Sequence, residues 1–351
     1  MKAALRIVCV NLAVLAAGLL IVELVFGNWI FGPDYRALNI PRNTQRVFDV
    51  GNLYPGGLIT YTRDAHGLRG PYANTGSIDI LTLGGSTTNQ LYVDDAKTWQ
   101  AVMRRGFADA GRDVSVVNAA VDGQSTRGHI ALFHRWFPLI KGLKARFVLV
   151  YAGINDVALE FAEQYDDMRS PEPVRRLKEQ IKNKSALYDF YRTLKGMFVA
   201  HNAHLVHGAD WTRPADWTRW QPSDSTFDPP DAFAGRLAAY EARLRKLNAE
   251  IAAFGARAIF VTQPSAEFRI RDGWIMLPIG ARRRAAMNYF LELDAFNRTT
   301  LRVCVDIGAI CVDLARDVAF DDGDFYDRVH NTDRGAAKIG DYLYGALKGV
   351  L

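Results

Sequence analysis

Ser86 stands in Gly84-Gly85-Ser86-Thr87-Thr88, a hydroxyl at a tight glycine turn that substrate can approach closely. A helix starting there would turn its positive end toward the Ser, although an ordinary N-cap Ser fits the same residues. Near the C-terminus, Asp327-Arg328-Val329-His330 places a carboxylate three residues before an imidazole. On one loop, that carboxylate can engage Nδ1, fix the tautomer and leave Nε2 to take a proton from a Ser. Two further segments offer hydrogen-bond donors: Gly123 an unhindered backbone N–H, and Asn155 a side-chain amide. A shared oxyanion would need such a donor set, though both residues also suit ordinary turns. Together the types describe nucleophilic acyl transfer.

These residues must be brought together by elements, and the hydropathy pattern supplies them. Asp79–Leu83, Val114–Val117, Phe147–Tyr151, Ala258–Val261 and Ala309–Val312 are short runs apolar on both faces, as in a buried parallel sheet. Helical stretches lie between or beside them at Lys97–Ala110, Arg127–Leu143, Asp231–Phe254 and Ala281–Val303. This alternation predicts an α/β fold, a doubly wound three-layer α/β/α sandwich with a five-stranded parallel sheet of flavodoxin-like type. In such sheets the site lies at the carboxyl ends of the strands. Ser86, Gly123 and Asn155 each follow one of those ends, and His330 precedes a last helical segment from about Asp333.

Four blocks in this order resemble the SGNH (GDSL-like) hydrolase family, in which Ser, Gly, Asn and His come from separate segments. The matches are Ser86, Gly123, Asn155 and His330, over about residues 78 to 350. The resemblance implies a Ser86, His330, Asp327 triad, with the Ser86 N–H, Gly123 and Asn155 as oxyanion donors and no metal or organic cofactor. One position departs: the family's Gly-Asp-Ser is Gly84-Gly85-Ser86 here, which bears on substrate class more than on chemistry. Gly67-Leu68-Arg69-Gly70 is similar to a Gly-aromatic-Arg-Gly element ahead of the Ser block in anchored relatives, and is assigned a structural role.

The 351-residue chain is 49% hydrophobic and 23% charged, which excludes disordered or collagenous protein. Its net charge of +5 is not gathered into a basic run, which argues against a nucleic-acid partner. Lys2 and Arg6 precede an apolar stretch from Ile7 to Phe26, about the 20 residues a bilayer-spanning helix needs. No small-residue cleavage site follows, so residues 1–31 are expected to be an uncleaved signal anchor. Leading basic residues favour a cytoplasmic N-terminus, while Trp29 and Phe31 suit the outer interface. This places a single-pass protein in a bacterial inner membrane with its body in the periplasm. Glu23 then lies within reach of the headgroups, and Cys9 is apolar filler.

Residues 32–77 read as a tether with short extended pieces such as Leu58–Tyr61, and 78–351 as the hydrolase domain with an insertion at about 157–230. In that insertion Trp211, Trp217 and Trp220 suit stacking on sugar rings, packing onto the body, or the membrane surface. His201, His204 and His207 read as a solvated patch rather than metal ligands. Asp321-Asp322-Gly323-Asp324 lacks the order of an EF-hand calcium loop. Cys304 and Cys311 are candidates for a disulfide in an oxidising compartment, with geometry open. The expected function is a serine esterase removing a short acyl group, such as acetyl, from an envelope glycan. The alternatives are an O-acyltransferase with the same triad, a lysophospholipase, and a catalytically silent anchored binding protein. The oligomeric state is left open.

Overall fold

The computed structural model describes residues 2–30, 38, 40–159, 166, 168, 173–188, 190–191, 216–227 and 231–351. Its centre is a sheet of five parallel strands: β3 (Ile78–Gly84), β4 (Val116–Asn118), β5 (Ala145–Tyr151), β7 (Arg257–Val261) and β10 (Ile310–Val312). The spatial order is β10-β7-β5-β3-β4, so the chain starts at β3 and winds outward in both directions. All five expected strands are present.

Side chains alternate across this sheet, and each face finds its own helices. Leu81 and Leu83 of β3 with Val148 and Val150 of β5 join one core, shared with α4 (Thr126–Arg135), α7 (Asp231–Ala253) and α8 (Arg283–Asp306). Ile80, Phe147, Leu149 and Tyr151 point the other way, onto α3 (Trp99–Asp109) and α10 (Asp333–Leu347). On α7 the fully buried positions are Tyr240, Leu244, Leu247 and Ile251, the three-and-four spacing of an amphipathic helix. The Thr98 hydroxyl accepts from the Ala101 N–H at 3.2 Å and starts α3.

Two smaller sheets flank the sandwich. Within the stretch read as a tether with short extended pieces, residues 40–63 pack against the body: β1 (Thr44–Asp49) and β2 (Leu58–Arg63), the latter on the extended piece at Leu58–Tyr61, form an antiparallel hairpin. Phe48, Val50, Tyr54, Ile59 and Tyr61 of this region cluster around Tyr326. The second sheet joins β6 (Trp217–Pro222), from the insertion, to β9 (Trp274–Pro278) and β8 (Arg269–Arg271). Its β8–β9 turn is Asp272-Gly273, both at positive φ (50° and 75°), the type I′ geometry that favours this pair of residues. Cys304 at the end of α8 and Cys311 on β10 form a disulfide with Cα atoms 5.8 Å apart.

At the N-terminus, α1 (Lys2–Phe26) has no buried residue and a mean hydropathy of 2.5 over its most apolar window, long and apolar enough to cross a membrane. Glu23 near its end accepts from the Trp29 indole (2.7 Å), the Ser185 hydroxyl (2.6 Å) and the Ala186 and Leu187 amides (3.1 and 3.2 Å). Those last three follow α6 (Pro173–Lys184), whose end is tied to α1 again by Asn28 N–H donating to the Lys184 carbonyl at 2.8 Å.

Candidate active site

Strand β3 delivers the chain into Gly84-Gly85 and then α2 (Ser86–Asn89), and neither glycine has room for a side chain. A Cβ on Gly84 would lie 2.0 Å from Thr88 Oγ1, and one on Gly85 would lie 2.2 Å from the Asn155 amide nitrogen. At position 85, where the family has Asp, a side chain would require the Asn155 amide to shift. Asn155 opens α5 (Ile154–Val157) after β5, and its amide donates to the Gln124 carbonyl at 2.8 Å, leaving its second N–H for another acceptor. Gly123, just before Gln124, takes φ of 75° in the turn after β4. Ser86, Asn155 and the Gly123 turn therefore meet at the carboxyl ends of three adjacent strands.

The C-terminal loop brings a carboxylate and an imidazole to the serine. His330 Nε2 lies 2.7 Å from Ser86 Oγ, and His330 Nδ1 lies 2.6 Å from Asp327 Oδ2. The other carboxylate oxygen accepts from the Val329 and His330 amides at 2.9 and 2.7 Å. Burial by itself would raise the Asp327 pKa, but the hydrogen bonds and charge of His330 and the two amides outweigh it and hold the carboxyl below its usual range. Tyr326 lies flat against the His330 ring, 5.6 Å between centroids and 8° between planes, and the Tyr326 amide donates to the His330 carbonyl at 3.0 Å. An ionised Asp327 accepts the Nδ1 proton, which leaves Nε2 as the ring nitrogen that faces the serine.

A profile of the GDSL-like Lipase/Acylhydrolase family matches residues 82–338, the span that holds all of these residues. The chain belongs to the GDSL-like lipase/acylhydrolase family. Membership places it among the carboxylic ester hydrolases. Over 77 residues it is 32% identical to Esterase TesA of Pseudomonas aeruginosa, a match covering 22% of this chain and 37% of that relative's length. Among solved structures, TesA superposes with a TM-score of 0.44 at 17% identity, over 78% of this chain and 99% of that one. A single-substitution variant of Axe2, an acetyl xylan esterase from Geobacillus stearothermophilus, gives 0.41 at 15% over 78% and 95%.

Several buried polar residues set this GDSL-like site without having been singled out in the sequence. Gln263, just past β7, accepts from the Ile154 amide at 2.7 Å and donates to Thr87 Oγ1 at 3.0 Å, bridging the Ser86 and Asn155 turns. Asn297 on α8 in turn holds the Gln263 backbone through bonds of 3.0 and 2.9 Å. Asp156, beside Asn155, accepts from Thr126 and from Arg243 at 3.0 Å, clamping the start of α5. Burial raises the Asp156 pKa and Arg243 only partly offsets that. The one available signal was placement at strand ends, which applies to Gln263 and not to Arg243 or Asn297.

Two aromatic residues of the insertion pack against the body. Trp220 stacks on Phe227 at 5.2 Å and meets Phe290 edge-on, while Trp217 carries the Arg269 guanidinium at 4.5 Å and its N–H donates to Asp322 at 3.3 Å. Trp211 and the three histidines 201, 204 and 207 lie outside the described residues. Among the described residues no group of three or more His, Cys, Asp or Glu is arranged to hold a metal.

Proposed function

We propose that the protein is a membrane-anchored serine esterase that removes short acyl groups from a glycan of the cell envelope. The unbroken relay from Asp327 through His330 to Ser86 carries this reading. His330 Nε2 takes the Ser86 proton as Oγ attacks the ester carbonyl. The developing oxyanion accepts from the Ser86 and Gly123 backbone N–H groups and the free N–H of Asn155. Protonated His330, stabilised by Asp327, then gives its proton to the leaving sugar hydroxyl. Water repeats the sequence to release the acid.

A neighbouring cavity of mixed character suits an acylated sugar. It holds about 570 Å³ and is lined by Arg127, Arg243, Arg328, Asp156 and Glu292 and also by Val157, Ala158, Leu159 and Ala239. Asp156 adjoins Asn155 in the chain, and Arg328 adjoins Asp327. The charged side chains can hydrogen-bond sugar hydroxyls, and the aliphatic ones can hold the acyl group. Trp217 and Trp220 each have one ring face taken, by Arg269 and Phe227, so the cavity is our first choice for the glycan.

Location is supported by α1 and by the Cys304–Cys311 disulfide, which suits an oxidising periplasm. The α6 helix adds to this, since it is fastened to the end of α1 and exposes Val174, Leu177 and Ile181, three positions on one helical face. Exposed Lys178 and Lys182 flank that stripe, an arrangement suited to the surface of an anionic bilayer. Protease added to intact spheroplasts should digest the body of the protein.

The activity test uses full-length protein in detergent with nitrophenyl esters from acetate to octanoate. Acetate is expected to turn over fastest. A preference for octanoate would replace the glycan reading with a lysophospholipase. Accumulation of acylated sugar on adding an acceptor glycan would make the enzyme a transferase.

A further inference from the structure

The hairpin that precedes the family-matched span sends a buried guanidinium into the back of the site. Arg63, at the end of β2, is 4% exposed. One of its terminal nitrogens donates both to Asn89 Oδ1 at 2.5 Å and to the Ala120 carbonyl at 2.7 Å. The other donates to the Gly67 carbonyl at 2.6 Å, and Nε donates to the Tyr61 hydroxyl at 2.8 Å, which in turn donates to Asn89 Oδ1 at 3.1 Å. Asn89 closes the short helix that begins at Ser86, and its amide donates to Asp122 Oδ1 at 2.7 Å. Asp122 is the residue immediately before Gly123.

We infer that Arg63, acting through Asn89 and Asp122, is a positioning residue that sets the Gly123 turn against Ser86. The reasoning is geometric. The Gly123 turn hangs from β4, an edge strand of three residues, and Ser86 from β3, so their relative placement depends on what joins the two loops. Arg63 bonds to both at once, and Asn89 passes the link on to the residue before the donor. The other two guanidinium nitrogens, on the Gly67 carbonyl and the Tyr61 hydroxyl, fix the plane of the group, so the nitrogen that bridges Asn89 and Ala120 is held in a set direction that a freely rotating ammonium would not keep. Oxyanion donors act in proportion to how well they are placed for the transition state, so loosening this link should lower kcat and leave substrate binding alone.

This inference rests on the reading of Ser86 as the nucleophile, and the experiment separates the two. In full-length protein, Arg63→Ala should lower kcat on nitrophenyl acetate by about 100-fold and leave KM within about twofold, as expected for a misplaced donor. Millimolar guanidinium should restore about tenfold of that loss, because it refills the same cavity with the same donors. Asp122→Ala removes the last link at a half-buried position where folding is not at stake, and should lower kcat by about tenfold with an unchanged melting temperature. Fluorophosphonate labelling of wild type, absent in Ser86→Ala, monitors the nucleophile independently. Wild-type kcat in Asp122→Ala, or a folded Arg63→Ala that guanidinium does not revive, would overturn the positioning role while leaving the esterase intact. Failure of the wild type to label or turn over would remove both.

Discussion

The reaction centre and the anchor end of the molecule solve opposite problems. At the reaction centre, polar groups are partly or wholly withdrawn from water and the partners are protein atoms: Asp327 has His330 and two amides, Asp156 has Thr126 and Arg243, and Gln263 joins two turns. At the anchor end α1 buries nothing, α6 shows an apolar stripe, and Glu23 with its neighbours is the polar clasp between them. One region pairs most of its buried polar groups within the protein, as the cost of leaving them unpaired requires, with Thr88 Oγ1 and the Gln124 side-chain amide as exceptions. The other exposes apolar surface that water does not favour, which is what the proposed membrane contact would cover.

If the reaction centre is as closely interdependent as its bonds suggest, single changes there should have large effects that leave the fold intact. The largest is expected for Ser86→Ala, on the order of 10⁶ in kcat, measured by nitrophenyl acetate hydrolysis. Asp327→Asn keeps the shape and loses the tautomer control, and should cost about 10⁴. It also tests the charge of that carboxyl. Because the folded-state pKa lies below the ordinary 3.8, ionised Asp327 stabilises the fold above that pH, and the contribution is lost as pH falls through the folded value. In thermal melts, the gap between wild type and Asp327→Asn should stay level near neutrality and close only below 3.8.

A sharper test restores the family motif. Gly85→Asp recreates Gly-Asp-Ser, yet its Cβ would enter the space held by the Asn155 amide. It should therefore lower kcat by about 10², much as Asn155→Ala should cost about 10² to 10³. A Gly85→Asp enzyme at least as active as wild type would show that Asn155 does not depend on the missing side chain.

The smallest effects belong to the anchor end and concern location rather than rate. In vesicles holding anionic lipid, a fluorophore on Leu177→Cys in a Cys9→Ser background should be quenched by headgroup-proximal spin labels, and one on native Cys9 by deeper labels. Cys304 and Cys311 are joined and do not compete for the dye. Quenching at Cys9 alone would detach α6 from the membrane surface, and quenching at neither would remove the anchor.

Much of the sandwich was legible because its signals are local. A buried parallel strand must be apolar on both faces, so β3, β5 and β7 announce themselves, and an amphipathic helix such as α7 carries its period in the residues. The β8–β9 hairpin also had a signal, Asp272-Gly273, but its strands are short and rich in arginine. The partners of polar residues were not legible. Arg63, Asn89, Asn297 and Arg243 lie far apart in sequence, and nothing in their neighbours says that each will be buried against the site. The packing of residues 40–70 was hidden for a related reason: a Gly- and Pro-rich composition describes turns well, and does not say what they rest on.

By itself, then, the sequence determined the layers of this protein and nominated the Ser86, Gly123, Asn155 and Asp327–His330 blocks, because periodicity, turn chemistry and short spacings are written within a few residues of one another. Tertiary structure alone decided that Ser86 and His330 stand 2.7 Å apart, that Asn155 takes the place of a side chain at Gly85, and that Arg63 reaches the loops on either side of the nucleophile. Those are distances between residues up to 244 positions apart, set by how two cores fill around one twisted sheet.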